Sequence, residues 1–177
     1  RHPRPKELSR VIVMNLADFL FPPDQKAVSN LVALKVKGQI EETTMNTGIE
    51  SLEKNIEEVE HASGPVIATL HRVENLHRKK RLKGFSKLLE EVTKKGQEVL
   101  FVLHQPTEEI LRKHGIIEEI EEIGIKIVPL IPYKEFVKKI ASAPYVITDG
   151  GSIQEETAHL GVPCLLWRGK TERQNGL

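Results

Sequence analysis

The sequence predicts an α/β fold in which a parallel sheet carries helices on both faces, and three observations lead there. Five short, mostly apolar runs have strand length: PVIATL (65–70), EVLFVL (98–103), IKIV (125–128), YVIT (145–148) and PCLLW (163–167). Their apolar residues are nearly continuous, as strands buried on both sides require. Amphipathic stretches of helix length separate them, and the connections are short, so successive strands are joined by right-handed crossovers and lie parallel.

Taken in order, the first 60 residues read differently from the rest. A helix from Lys6 to Ala17 leads into the short strand FLF (19–21), a Pro-Pro step, a helix over 24–35, a weak strand near Ile40 and an acidic helix from Ile49 to Glu60. One strand-helix unit cannot cover its own sheet, so this segment is expected to be the end of a neighbouring domain. The HASGP turn (61–65) marks the expected boundary, giving residues 1–62 and 63–177. Beyond it, helices are expected over 78–95, over 107–122 with a break at Gly115, over 133–142 and over 152–160. The last strand is followed only by RGKTERQNGL, without a covering helix, so the second domain is expected to be incomplete at its C-terminus.

Composition narrows the function. At 177 residues, 39% apolar and 29% charged, the chain can bury a sizeable core. Its net charge of +1 argues against a dedicated polyanion binder. The run RKKRLKGFSK (78–87) holds six Lys or Arg and no acid, but the acidic stretch 41–60 nearly offsets it and aromatics for base stacking are scarce. It reads as a solvated helix face, and no nucleic-acid partner is expected. The single cysteine, Cys164, excludes a disulfide framework and a cysteine metal cluster, and suits a reducing cytoplasm. No stretch approaches the roughly 20 apolar residues of a membrane-spanning helix, and RHPRPKELSR lacks the apolar core of a secretion signal, so no membrane partner is expected.

Polar residues collect where the strands end. His71 follows the first strand of the main sheet, His104 the second, Gly150, Gly151 and Ser152 the fourth, and Arg168 to Arg173 the fifth. The carboxyl edge of an open parallel sheet is where ligands bind, because strand ends and helix N-termini converge there. In the DGGS turn, glycines let a ligand approach the backbone amides, and the following helix aims its unpaired N–H groups at the same place, which suits a phosphate or diphosphate. Ser152 and Glu155, three residues apart, read as a capping box that starts this helix. A histidine just past a strand more often bonds nearby carbonyls than a ligand, but two at equivalent places on one edge point to a polar pocket. No third ligand accompanies them at metal spacing, so no metal is expected.

Six motifs now carry a resemblance: TLHRVEN (69–75), VLH (102–104), PYKEFV (132–137), ITDGGSIQEE (147–156), LGVPCLLWR (160–168) and TER (171–173). Their order and spacing are similar to those of UDP-N-acetylglucosamine 2-epimerases. The early stretch PKELSRVIVMNLADFLFPPDQKAVSNL resembles the family segment that begins Pro-Glu-Glu, and MNT (45–47) resembles its Gly-Asn-Thr. The resemblance implies a glycosyltransferase-B-like architecture of two Rossmann-like domains with the substrate between them. It also implies inversion at C2 of UDP-GlcNAc to give UDP-ManNAc, without a nicotinamide or other cofactor, by elimination of UDP and its re-addition to the other face.

By the same resemblance, His71 and the Gly150–Gly151 turn hold the diphosphate, Glu156 accepts from the ribose hydroxyls, Phe136 lies against the uracil, Arg10 belongs to the substrate site and Arg173 sits near the phosphates. His71 and Glu7 are the catalytic candidates; the implied partner is a UDP-sugar, and a homodimer is left open. Two departures stand out. Gly150 replaces the family's serine, removing a hydroxyl from the phosphate site, and Lys6 replaces the first glutamate of Pro-Glu-Glu, so only Glu7 keeps the acid type. The alternatives are a non-catalytic UDP-sugar-binding protein, which Lys6 favours, and a glycosyltransferase of the same architecture.

Overall fold

The computed structural model describes residues 4–43, 47–56 and 60–169, with side chains from Leu8 onward. The chain divides into two units, Arg1–Glu50 and Ser51–Leu177. In the first, helix α1 (Arg4–Leu16) leads to strand β1 (Phe19–Leu20), helix α2 (Gln25–Ala33) and strand β2 (Gln39–Ile40). The strands pair in parallel, Phe19 opposite Gln39 and Leu20 opposite Ile40. Asp24 caps α2 by accepting from the Ala27 amide at 2.7 Å, a bond of the kind that stabilises a helix by about 1 kcal/mol. Gly38 lets β2 approach: a Cβ there would meet the Ala17 carbonyl oxygen at 2.2 Å. Helix α3 (Thr47–Asn55) spans the division. It stops short of the expected Glu60, and in its last turn the Asn55 amide donates back to the Ser51 carbonyl.

The second unit alternates strand and helix as the sequence predicts. Strand β3 (Val66–Thr69) is followed by α4 (Val73–Leu76) and α5 (Lys79–Lys94), then β4 (Val99–Leu103), α6 (Gln105–Lys113) and α7 (Ile116–Glu122). Strand β5 (Lys126–Pro129), α8 (Tyr133–Ser142), β6 (Val146–Thr148), α9 (Gly151–Leu160) and β7 (Cys164–Leu166) complete it. The expected break at Gly115 is real: its φ of +68° places it in the left-handed region, which ends α6 and lets α7 start in a new direction. The short helix α4 was not expected.

All five main strands are parallel, in the order β5-β4-β3-β6-β7. Alternate residues of each central strand feed opposite faces. Val66 and Ala68 of β3, with Val99, Phe101 and Leu103 of β4, pack under α4 to α7 against Leu82, Phe85, Leu89, Leu111 and Ile120. Ile67, Leu100, Val102 and Val146 pack on the other side with Phe136 and Ile140 of α8 and Ile153 of α9. The result is a Rossmann-like sheet with helices on both faces. Chain direction across it reverses between β3 and β6, which opens a crevice at their carboxyl ends.

Candidate functional site

The crevice is built from the turns that leave β3 and β6. Thr69 and Thr148 end these strands, and their buried hydroxyls lie 2.7 Å apart. Thr148 Oγ1 also accepts from the Gly150 amide at 3.0 Å, which fixes the path of the next turn. Between them stands Asp149, fully buried. Its Oδ1 accepts from the His71 amide at 3.0 Å, and its Oδ2 from the Arg72 amide at 2.9 Å and from Asn75 Nδ2 at 2.8 Å. His71 Nδ1 lies 3.2 Å from Oδ1. A buried carboxylate is costly unless such donors surround it, so Asp149 ties the two turns into one unit. Asn75 also donates to the Trp167 carbonyl at 3.1 Å, which brings the end of β7 into the same network.

His71 is half-exposed and lies against Gly150. A Cβ at position 150 would stand 2.8 Å from His71 Cε1 and 3.3 Å from Thr148 Oγ1. The φ of Gly150 is an ordinary −86°, so glycine serves here to make room for the imidazole rather than to reach a special backbone angle. Helix α9 starts at once after Gly150, its first residues facing the same crevice edge.

Beside this turn lies a cleft of about 420 Å³. Thr69, Leu70 and His71 form one side, Val102 and His104 another, and Leu130, Ile131, Phe136 and Ile153 close it with apolar surface. The structure thus brings together His71, His104, Phe136 and the Gly150–Gly151–Ser152 turn at one edge. Glu156 is buried one turn beyond Ile153 on α9 and accepts from the Tyr133 hydroxyl at 3.2 Å. Burial pushes its carboxyl above the ordinary value; the Tyr133 hydrogen bond pulls it back in part, and Glu155 adds to the rise. Partial desolvation of its ring, with Glu156 beside it, pushes the Tyr133 phenol up to about 12.

One expectation is corrected. Ser152 and Glu155 do not form a capping box: the N-cap is Gly150, which has no side chain, and Ser152 falls inside the first turn of α9. The strand ends so close to the helix that Asp149 and Gly150 alone make the connection, so Ser152 is already helical and does not occupy the N-cap position from which a side chain reaches the first free amides. Arg10 lies exposed on α1 in the first unit, and α1 also carries Lys6 and Glu7, whose side chains lie outside those described. Arg173 lies outside the described residues. The residues missed from sequence are Asp149, Asn75 and Tyr133. Asp149 carried a signal, an acid directly after a buried strand; the other two carried none beyond their place in the motifs. Among the described residues, no group of three or more His, Cys, Asp or Glu is placed to hold a metal ion.

The sequence model of the UDP-N-acetylglucosamine 2-epimerase family matches residues 1–177. The chain belongs to this family. A UDP-N-acetylglucosamine 2-epimerase of Methanococcus maripaludis is 30% identical over 188 aligned positions, covering 98% of this chain and 51% of the relative. A UDP-2,3-diacetamido-2,3-dideoxy-D-glucuronate 2-epimerase of Pseudomonas aeruginosa is 26% identical, covering 95% and 48%. The crystal structure of Methanocaldococcus jannaschii UDP-GlcNAc 2-epimerase, in complex with UDP-GlcNAc and UDP, superposes with a TM-score of 0.81 at 28% identity, covering 96% of this chain and 50% of that one. The chain spans about half the length of the family members it matches.

Proposed function

We propose that this chain forms the UDP-holding part of a UDP-N-acetylglucosamine 2-epimerase, which interconverts UDP-GlcNAc and UDP-ManNAc by eliminating UDP and adding it back to the other face of the sugar. The observation that carries this reading is the crevice at the β3/β6 switch point, where His71, the Gly150 turn and the start of α9 meet beside an apolar cleft. A diphosphate suits the amides and imidazole, and a flat base suits the wall at Phe136. Elimination demands that departing UDP be retained for the return step, and retention is what such a site supplies. His71 and Glu7 are the residues proposed for catalysis, with Arg10 and Arg173 completing the substrate site. The relatives' names share UDP and differ in the sugar, which fits a half that grips UDP.

The proposed domain boundary is the turn at 61–65, and the proposed compartment is the cytoplasm, which the free Cys164 favours. No described helix is long and apolar enough to cross a membrane. The test is NMR of UDP-GlcNAc in heavy water with the protein that carries this chain. Solvent deuterium should enter at C2, and Gly150→Val should slow the exchange.

A second reading, a UDP-sugar-binding protein without catalysis, is favoured by Lys6 in place of the family's glutamate. It is distinguished by Lys6→Glu, which raises C2 exchange if position 6 belongs to the acid-base set and leaves it absent if the protein only binds.

A further inference from the structure

Helices α8 and α9 face each other with pairs of residues one turn apart: Tyr133 and Phe136 on α8, Ile153 and Glu156 on α9. That spacing puts each pair on one face of its helix. Phe136 and Ile153 line the apolar cleft, and next to them the Tyr133 hydroxyl donates to Glu156 Oε1. Glu156 is only 7% exposed, whereas Tyr133 keeps 37% of its surface in solvent. A carboxylate offers about four lone-pair directions on two oxygens. Tyr133 uses one of them, and among the described residues Oε2 accepts no hydrogen bond. A buried acid so arranged has one oxygen held and the other available to further donors.

We propose that Tyr133 is a positioning residue that selects ribose: by holding Oε1 it fixes the Glu156 carboxylate in the orientation that receives both hydroxyls of a vicinal diol. This rests on the UDP reading above. The diol of a ribonucleotide brings two donors to one carboxylate, and a 2′-deoxyribose brings one. Discrimination therefore depends on the carboxylate staying ionised and in a single rotamer. Burial works against the ionised form, and the phenol counteracts it. Without the phenol, the carboxylate turns freely or takes up a proton that occupies one of its lone pairs, and the second hydroxyl loses its advantage.

The experiment is calorimetric titration of the protein that carries this chain with UDP and with 2′-deoxy-UDP, read as the ratio of the two dissociation constants. The unchanged protein should favour UDP by about tenfold, the effect of one hydrogen bond to a charged group. Glu156→Gln should bring the ratio close to one. Tyr133→Phe, which keeps the ring and its packing, should lower the ratio to roughly a third of its starting value, mainly by weakening UDP. A merely structural tyrosine would weaken both nucleotides alike and leave the ratio unmoved. An unmoved ratio in Tyr133→Phe, with the ratio collapsed in Glu156→Gln, overturns the role of Tyr133 and leaves the UDP reading standing. Equal binding of the two nucleotides by the unchanged protein also overturns it. If the unchanged protein binds neither nucleotide, the UDP reading falls and the inference falls with it.

Discussion

The turns after β3 and β6 are tied to each other through one buried carboxylate, whereas the end of β4 and the turn after β5 meet in the same cleft through Val102, Leu130 and Ile131, with Phe136 of α8 beside them and His104 as the polar member. The first wall is polar and built in advance: its donors and acceptors are matched before any ligand arrives. The second is apolar apart from His104, and Leu130 is largely exposed along it. The difference teaches how the cleft divides its work. A charged group needs dipoles that are already oriented, because reorienting them costs free energy at the moment of binding. A flat ring needs only area and shape.

The comparison breaks most severely at Asp149. Asp149→Ala leaves the His71 and Arg72 amides and the Asn75 amide group without their acceptor inside the protein. Each buried unsatisfied donor costs about 1–3 kcal/mol, so the loss of stability should reach about 3 kcal/mol or more in urea denaturation. UDP binding should vanish with it. A loss below about 1 kcal/mol would mean that water replaces the carboxylate, and that the polar wall is not built in advance.

Gly150 sharpens the same wall with less damage to the fold. Gly150→Val places its Cβ and methyl groups in the space of the His71 ring and should weaken UDP at least about tenfold while the protein stays folded. Gly150→Ser acts in the opposite sense. Its Cβ still displaces the half-exposed ring slightly, but its hydroxyl adds a donor at the phosphate, so affinity should rise by about threefold. If serine weakens binding as valine does, room for the imidazole matters more than the hydroxyl.

The apolar wall should respond more mildly. Phe136→Leu keeps the packing against Ile140 and Ile153 but loses the aromatic face. Base stacking on an aromatic contributes about 1–3 kcal/mol, and leucine keeps the part that comes from apolar contact, so UDP should weaken by about five- to tenfold, with stability changed by less than about 1 kcal/mol. The measurement is a calorimetric titration beside a melting curve. A large stability loss with affinity retained would make Phe136 a core residue only.

The contrast between the walls also explains what was legible in the sequence. The sheet was legible because strands buried on both faces must be nearly continuous in apolar residues, as VLFVL and YVIT are. The edge was legible because its histidines and glycines interrupt that pattern. Asp149 was visible as a residue but not as the tie between two turns, since its partners lie 74 to 78 positions earlier in the chain. Strand order decides that proximity, and no local pattern encodes strand order. The capping box misled for a related reason. Ser152 and Glu155 have its spacing, yet the network around Thr148 and Asp149 starts the helix two residues earlier than a serine cap would. Tyr133 and Glu156 likewise lie 23 residues apart, on separate helices.

Glu156 should give the smallest effect on stability, and one that runs against the usual direction. Its carboxyl titrates near the ordinary value of 4.5 in the unfolded chain and above it in the folded one, because burial disfavours the charge. Between those two values the folded state binds more protons than the unfolded state, so the free energy of unfolding falls as pH rises. The cost of the buried charge is absent below the unfolded value and complete above the folded one. Glutamine is close in shape, keeps an oxygen for the Tyr133 hydroxyl and never carries the charge. Glu156→Gln should therefore match the unchanged chain in stability at pH 4 and exceed it slightly at pH 7, as read from urea midpoints at the two values. The same substitution should weaken UDP. A residue that lowers stability while raising affinity is retained for its ligand rather than for the fold. If Glu156→Gln is instead the less stable protein at pH 7, the carboxylate belongs to the packing of α8 on α9, and the second wall of the cleft is as fully prebuilt as the first.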